Sequence, residues 1–208
     1  MKEPTTPSGT DRIEQLGALR AAFPAGPVLS LFGSSQSTGS SLTLTSWSRL
    51  PQLLVRRGVH LLNGGYGGTM ADFAASMRSH GGTAVGLISN EIDDVSPAHT
   101  YTHVLRVATA FQRLEALIRL GDAHAFLSGG IGTFTELTAV LWLADRGLLP
   151  QRRVLLLCAE WRKTVDVLSR NRLLFRSASP LDRRVRVVVD PEELEDALED
   201  AFAPEVRT

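Results

Sequence analysis

Three times along this chain a short apolar run gives way to a turn of glycines and small polar residues, and then to an amphipathic stretch. Val28 to Phe32 leads into Gly33, Ser34 and Ser35. Val59 to Leu62 leads into Asn63, Gly64, Gly65, Tyr66, Gly67, Gly68, Thr69 and Met70. Ala123 to Leu127 leads into Ser128, Gly129, Gly130, Ile131, Gly132 and Thr133. This alternation marks repeated βα units, in which parallel strands are joined by crossover helices. Several runs are apolar at consecutive positions, as strands are when helices cover both faces of their sheet.

Extended along the chain, the pattern predicts seven strands: Val28 to Phe32, Val59 to Leu62, Ala84 to Ile88, Thr102 to Val107, Ala123 to Leu127, Arg153 to Leu157 and Val185 to Val189. Helices are predicted at Ser41 to Arg57, Thr69 to Ser79, Ala108 to Leu120, Thr133 to Asp145, Trp161 to Phe175 and Pro191 to Phe202. The last is marked by Asp190 as N-cap, Pro191 at the first helical position and Glu193 as a capping-box acid. The expected fold is α/β: a single-domain, doubly wound, Rossmann-like parallel sheet of about seven strands with helices on both faces. The domain is expected over residues 27–203. A flexible tail with a short helix at Asp11 to Phe23 is expected over 1–26, and a second tail over 204–208. The acidic run Glu192 to Asp200 reads as a solvated face.

Composition narrows the function. With 43% apolar residues the chain has enough hydrophobic surface to offset ordering entropy. Twenty-two basic residues are balanced by 22 acidic ones, so the basic excess of a nucleic-acid polymer binder is missing. No run approaches the roughly 20 apolar residues of a membrane span, and the start of the chain is polar. The single cysteine, Cys158, follows an apolar run, permits no intramolecular disulfide and reads as a buried inert thiol. A cytoplasmic protein is the expectation.

Ligands of open parallel sheets bind at the carboxyl ends of the strands, where strand order reverses. All three Gly-rich turns lie at such ends, and each opens a helix whose free N–H groups attract anions, so a phosphorylated ligand fits. No lysine follows the glycines as in a Walker loop, and no G-x-G-x-x-G follows the first strand. Nucleotide triphosphate hydrolysis and hydride transfer are disfavoured.

In the third turn Glu136 lies three residues after Thr133. A Thr-x-x-Glu capping box and a catalytic carboxylate beside a phosphate site both fit that spacing, which does not separate them. Arg113 falls near the start of the helix after the fourth strand, where a surface arginine is the default. Phe134, Leu137, Leu141 and Trp142 serve a core or a subunit interface, and their spacing favours the core.

Together these segments resemble the LOG family, the cytokinin riboside 5′-monophosphate phosphoribohydrolases and their bacterial relatives, often labelled lysine decarboxylases. The resemblance runs from about Val28 to Leu157. The family's P-G-G-x-G-T-x-x-E corresponds to Ser128 through Glu136, with Ser128 at the proline position. Its earlier Gly-rich turn is similar to Gly64 through Met70, and its Gly-Ser-Ser to Gly33, Ser34 and Ser35. Its catalytic arginine, normally in an Arg-Lys pair, aligns with Arg113, with Leu114 at the lysine position.

The resemblance implies hydrolysis of the N-glycosidic bond of a nucleoside 5′-monophosphate to free base and ribose 5-phosphate, the hydrolase activity that activates cytokinins. Glu136 and Arg113 are then catalytic. The ligand would be held by Gly129, Gly130, Ile131, Gly132, Thr133, Gly33, Ser34, Ser35, Gly64, Gly65, Gly67, Gly68, Thr69 and Met70. At least a homodimer is implied as well. The rival function is a non-catalytic nucleotide or molybdenum-cofactor carrier of the same fold, which would need neither Glu136 nor Arg113.

A pyridoxal-phosphate decarboxylase needs a Schiff-base lysine. Only Lys2 and Lys163 exist, both outside every motif. His60, His80, His99, His103 and His124 form no metal-binding pattern. No cofactor and no metal are expected.

Overall fold

The computed structural model describes residues 9–34, 46–92, 99–149, 154–170 and 184–203. The seven strands are β1 (Val28–Phe32), β2 (His60–Asn63), β3 (Ala84–Ser89), β4 (His103–Val107), β5 (Ala123–Phe126), β6 (Val154–Leu156) and β7 (Val185–Val187). They form one sheet in the order β4-β3-β2-β1-β5-β6-β7, with every neighbouring pair parallel. Strand order reverses at β1, which has β2 on one side and β5 on the other. This is the expected doubly wound α/β arrangement, and it sets the reversal point between the first and third Gly-rich turns.

The helices are α1 (Gly9–Ala21), α2 (Arg49–Arg56), α3 (Thr69–Ser79), α4 (Ala110–Leu120), α5 (Ile131–Asp145), α6 (Trp161–Arg170) and α7 (Leu194–Phe202), with 3-10 turns at Asn90–Ile92 and Pro191–Glu193. Of the helix expected over Ser41 to Arg57, Ser46 is helical, Trp47 and Ser48 form a turn, and α2 begins at Arg49. Pro51 falls in the first turn of α2, where proline is tolerated. Positions 41–45 of that expectation lie outside the described residues, as do Arg153 and 171–175. The final helix opens as a 3-10 turn, and the Asp190 side chain accepts from the Glu192 N–H at 2.9 Å. The expected capping bond to Glu193 is replaced by a backbone bond from its N–H to the Asp190 carbonyl.

Side chains alternating along the strands feed two cores. Leu29 and Leu31 of β1 pack in a core with residues of α2, α3 and α7, including Leu50, Leu54, Phe73, Met77, Leu194 and Leu198. Val28 and Phe32 pack in the other, with Leu117, Ile118, Leu137, Leu141 and Trp161 of α4, α5 and α6. The segment expected as a tail with a short helix joins this second core: α1 rests on α4, with Phe23 buried and Leu16 and Leu19 packed against it.

The acidic run is ion-paired at its solvated edge, Glu192 to Arg49 at 2.9 Å, Glu195 to Arg57 at 3.2 Å and Asp200 to Arg186 at 2.8 Å. Such exposed pairs add about 1 kcal/mol or less each. Cys158 lies just past β6 and is half-buried, not fully buried as its apolar neighbours predict. Burial pushes its thiol pKa above the ordinary range all the same. Among the described residues no helix is long and apolar enough to cross a membrane, and no cluster of three metal-ligating side chains occurs.

Candidate functional site

The ends of β1, β2 and β5 converge at the reversal point, and hydroxyl side chains tie their turns together. Thr133 on α5 donates to the Gly33 carbonyl at 3.2 Å, and Thr69 on α3 donates to the Ser34 carbonyl at 3.0 Å. Both threonines are buried, so these hydroxyls brace the scaffold and only their backbone N–H groups remain to meet a ligand. Ser35 lies outside the described residues.

Helix α5 starts at Ile131, two residues before the expected Thr133, with Gly130 as its N-cap and no side chain capping it. The first intrahelical bond runs from the Phe134 N–H to the Gly130 carbonyl at 3.1 Å, so the amides of Ile131, Gly132 and Thr133 precede the ladder. The capping-box reading of Thr133 and Glu136 is therefore overturned. With Thr133 already inside the helix and its hydroxyl given to Gly33, Glu136 falls in the second turn and reaches sideways toward α4.

There it meets Arg113. Nη1 of Arg113 lies 4.0 Å from Oε1 of Glu136, and the two side chains are only 11% and 16% exposed. The surface-arginine default is thus corrected: Arg113 is drawn inward because its guanidinium satisfies the rim of the sheet. Nε donates to the Leu87 carbonyl at 2.8 Å, Nη2 donates to the Gly64 carbonyl at 3.1 Å, and Cζ sits 4.8 Å from the centroid of the Tyr66 ring. Nη1 is the part of the fork turned to the carboxylate.

Burial pushes the Glu136 carboxyl up from 4.5 to about 7, while the positive charge of Arg113 pulls it partly back. A 4.0 Å separation is too long for a hydrogen bond and leaves the gap between the two groups open to a third polar atom. A carboxyl poised near neutrality beside a fixed cation can exchange protons or face a developing positive charge.

The second Gly-rich turn is built around residues that the glycine pattern alone does not single out. Asn63 closes it, accepting from the Gly65 N–H at 3.0 Å and donating to the Met70 carbonyl at 3.1 Å. Gly65, at φ +77°, folds so closely over β3 that a Cβ would strike Ile88. Tyr101 donates its hydroxyl to the Tyr66 carbonyl at 3.1 Å, and its burial raises the phenol's pKa, so it stays a donor. An asparagine at a strand end before two glycines is the local signal for the first contact; Tyr101 comes from a distant segment and has none.

Gly68 is the uncapped N-cap of α3, and Met70 is buried against Tyr66 and Ile88, so Met70 supports the turn from beneath. Leu114, at the position where the LOG pattern has lysine, packs against the second core.

Comparison with known proteins identifies the family and the fold. A family model described as "Possible lysine decarboxylase" matches residues 70–198, more than half of the chain. The chain belongs to this, the LOG family. A 101-residue stretch is 33% identical to cytokinin riboside 5′-monophosphate phosphoribohydrolase LOG5 of Arabidopsis thaliana, covering 48% of this chain and 44% of that protein. The matched region thus spans less than half the length of this curated relative.

Among solved structures, the molybdenum cofactor binding protein of Rippkaea orientalis superposes with a TM-score of 0.64 at 18% identity, over 85% of this chain and 98% of that one. The molybdenum cofactor carrier protein of Chlamydomonas reinhardtii gives 0.62 at 18%, over 86% and 99%. At such identities the likeness is one of fold.

Proposed function

We propose that this LOG-family protein is a nucleoside 5′-monophosphate phosphoribohydrolase, cleaving the N-glycosidic bond with water to give free base and ribose 5-phosphate. The observation that carries the reading is the Glu136–Arg113 pair, two mostly buried charges 4.0 Å apart beside the bare N-terminus of α5. A protein that only holds a ligand has no need of a carboxyl tuned to about 7 at that place.

In the proposed reaction the 5′-phosphate rests on the amides of Ile131, Gly132 and Thr133, with Gly33, Ser34 and the turn from Gly64 to Thr69 around it. Binding energy at the phosphate holds the ribose with C1′ toward Glu136. As the C1′–N bond breaks, its electron pair leaves with the base nitrogen and the ribose gains oxocarbenium character. The ionised carboxylate stabilises that charge and accepts a proton from the water whose oxygen bonds to C1′; the departing base nitrogen takes up a proton from solvent, and Glu136 then returns its own to solvent, so that one water is consumed. Nη1 of Arg113 supplies a donor to the ligand across the gap it shares with Glu136. No cofactor or metal enters these steps.

The test is incubation with a panel of nucleoside 5′-monophosphates, cytokinin riboside monophosphates included, scored for free base and ribose 5-phosphate beside Glu136→Gln and Arg113→Ala. Cleavage by the wild type and its loss in both variants supports the hydrolase. Tight binding with no turnover of any nucleotide overturns it in favour of a carrier.

We further propose a homodimer through the outer face of α5. Phe134 and Trp142, expected in the core, are exposed here, in line with Ile131, while Leu137 and Leu141 take the core side. Thr135 and Thr138 return their hydroxyls to carbonyls of the helix itself, so the whole stripe is apolar. An uncharged stripe is self-complementary across a two-fold axis. Light scattering should give twice the 22.6 kDa chain mass, and Trp142→Glu should give the single chain.

A further inference from the structure

Tyr66 is the bulky exception in the second turn, set among Gly64, Gly65, Gly67 and Gly68. Its side chain is buried with Met70 and Ile88 in a small cluster apart from the two main cores. Its hydroxyl has no hydrogen-bond partner among the described residues, whereas its ring is packed in that cluster. Over that ring lies the guanidinium of Arg113. The two carbonyl bonds of Arg113, to Leu87 and Gly64, fix Nε and Nη2 but leave the plane free to tilt about the line joining them. An aromatic face 4.8 Å from Cζ restricts that freedom, since a cation is attracted to the ring's negative face. The Tyr66 backbone is itself pinned through the hydroxyl of Tyr101, so the platform is rigid. Among the described residues, Arg113 is the charge that acts on Glu136, pulling its carboxyl back against burial.

We propose that Tyr66 is a positioning residue of the hydrolytic site: its ring is the platform that, with the Leu87 and Gly64 carbonyls, keeps Nη1 of Arg113 turned to Glu136. The inference deepens the nucleotide-hydrolase reading and rests on it for its kinetic consequence, though the geometry it asserts is measurable without turnover.

The experiment compares the full-length wild type with Tyr66→Phe, Tyr66→Leu and Tyr66→Met. Two readouts are taken: the titration midpoint of Glu136 by carbon-13 carboxyl NMR, and the kcat and KM of the best nucleotide. Without a ring, Arg113 tilts away and the Glu136 midpoint rises above the wild-type value. In those variants kcat falls on the order of 10- to 100-fold with KM little changed. Tyr66→Phe keeps the ring and retains most of what the other two lose. Tyr66→Met preserves apolar bulk, so it tests the ring even if Tyr66→Leu fails to fold. An unmoved midpoint in the ring-less variants overturns the proposal, as does a Tyr66→Phe variant that behaves like Tyr66→Leu. If the wild type cleaves no nucleotide, the hydrolase reading falls while the NMR titration still decides the platform.

Discussion

The N-termini of α4 and α5 face the same edge of the sheet and are finished in opposite ways. At α4 the Thr109 side chain accepts from the Gln112 N–H at 3.1 Å, and the Gln112 side chain returns to the N–H groups of Thr109 and Ala108 at 3.1 Å each. Glu91 takes the N–H of Ala110 at 2.8 Å. Every one of those contacts uses a donor that is then closed to a ligand. At α5 the cap is Gly130 and no described side chain answers the first amides; among the described residues α3, capped by Gly68, is bare in the same way. Where a helix only has to start, this protein supplies a full capping box. Where amides are left open at the strand-order reversal, it places glycine, and beside one such end it buries a carboxyl and an arginine.

The sharpest way to break that contrast is at Glu136. Glu136→Gln keeps the shape of the side chain and should lower kcat by at least ~100-fold, the scale of losing a general acid or base. A loss below tenfold would demote Glu136 to a structural residue.

The same group makes a pH prediction. Its folded pKa of about 7 stands above the ordinary 4.5, so the native state binds its proton more tightly than the unfolded chain. The associated stability is complete below about 4.5 and is lost as pH rises through about 7. Relative to Glu136→Gln, the wild type should thus lose on the order of 2 to 3 kcal/mol across that window, measured by denaturant unfolding at pH 4.5 and 8. Activity runs the other way: if the ionised form works, kcat/KM rises with pH through about 7.

Two glycines of the third turn sharpen the comparison further. A Cβ at Gly129 would collide with the Thr133 side chain, so Gly129→Ala should cost about 1 to 3 kcal/mol by overpacking. A Cβ at Gly132 would meet nothing within 4 Å. Gly132→Ala should therefore raise stability by up to about 1 kcal/mol, as alanine does inside a helix, while weakening nucleotide binding in calorimetry. Unchanged affinity there would mean that no ligand comes near the start of α5. Last, Thr109→Ala removes the cap of α4 and should cost about 1 kcal/mol in thermal or denaturant unfolding.

Much of this was legible in the chain. Period and punctuation are local, so the seven strands, the two-faced covering by helices and the three turns at one edge could be read from residues a few positions apart. The family pattern at Ser128 through Glu136 likewise put Glu136 forward, and the alignment with the family's arginine put Arg113 forward. Boundaries were less legible: α5 starts at Ile131 because Thr133 spends its hydroxyl on Gly33, 100 residues away.

The sequence by itself therefore determined the layered α/β sheet and the kinds of group at its rim, since both follow from short-range alternation and from glycines next to helix starts. Only the tertiary structure decided what those groups are. Arg113 is held by carbonyls 26 and 49 residues away, over a ring from the same distant turn, and Glu136 is lifted toward neutrality by burial between helices. Phe134 and Trp142 face outward while Leu137 and Leu141 face in, because contact with the sheet selects one side of an almost uniformly apolar helix. Desolvation and fixed charge depend on everything packed around a side chain, and that is set by the fold as a whole.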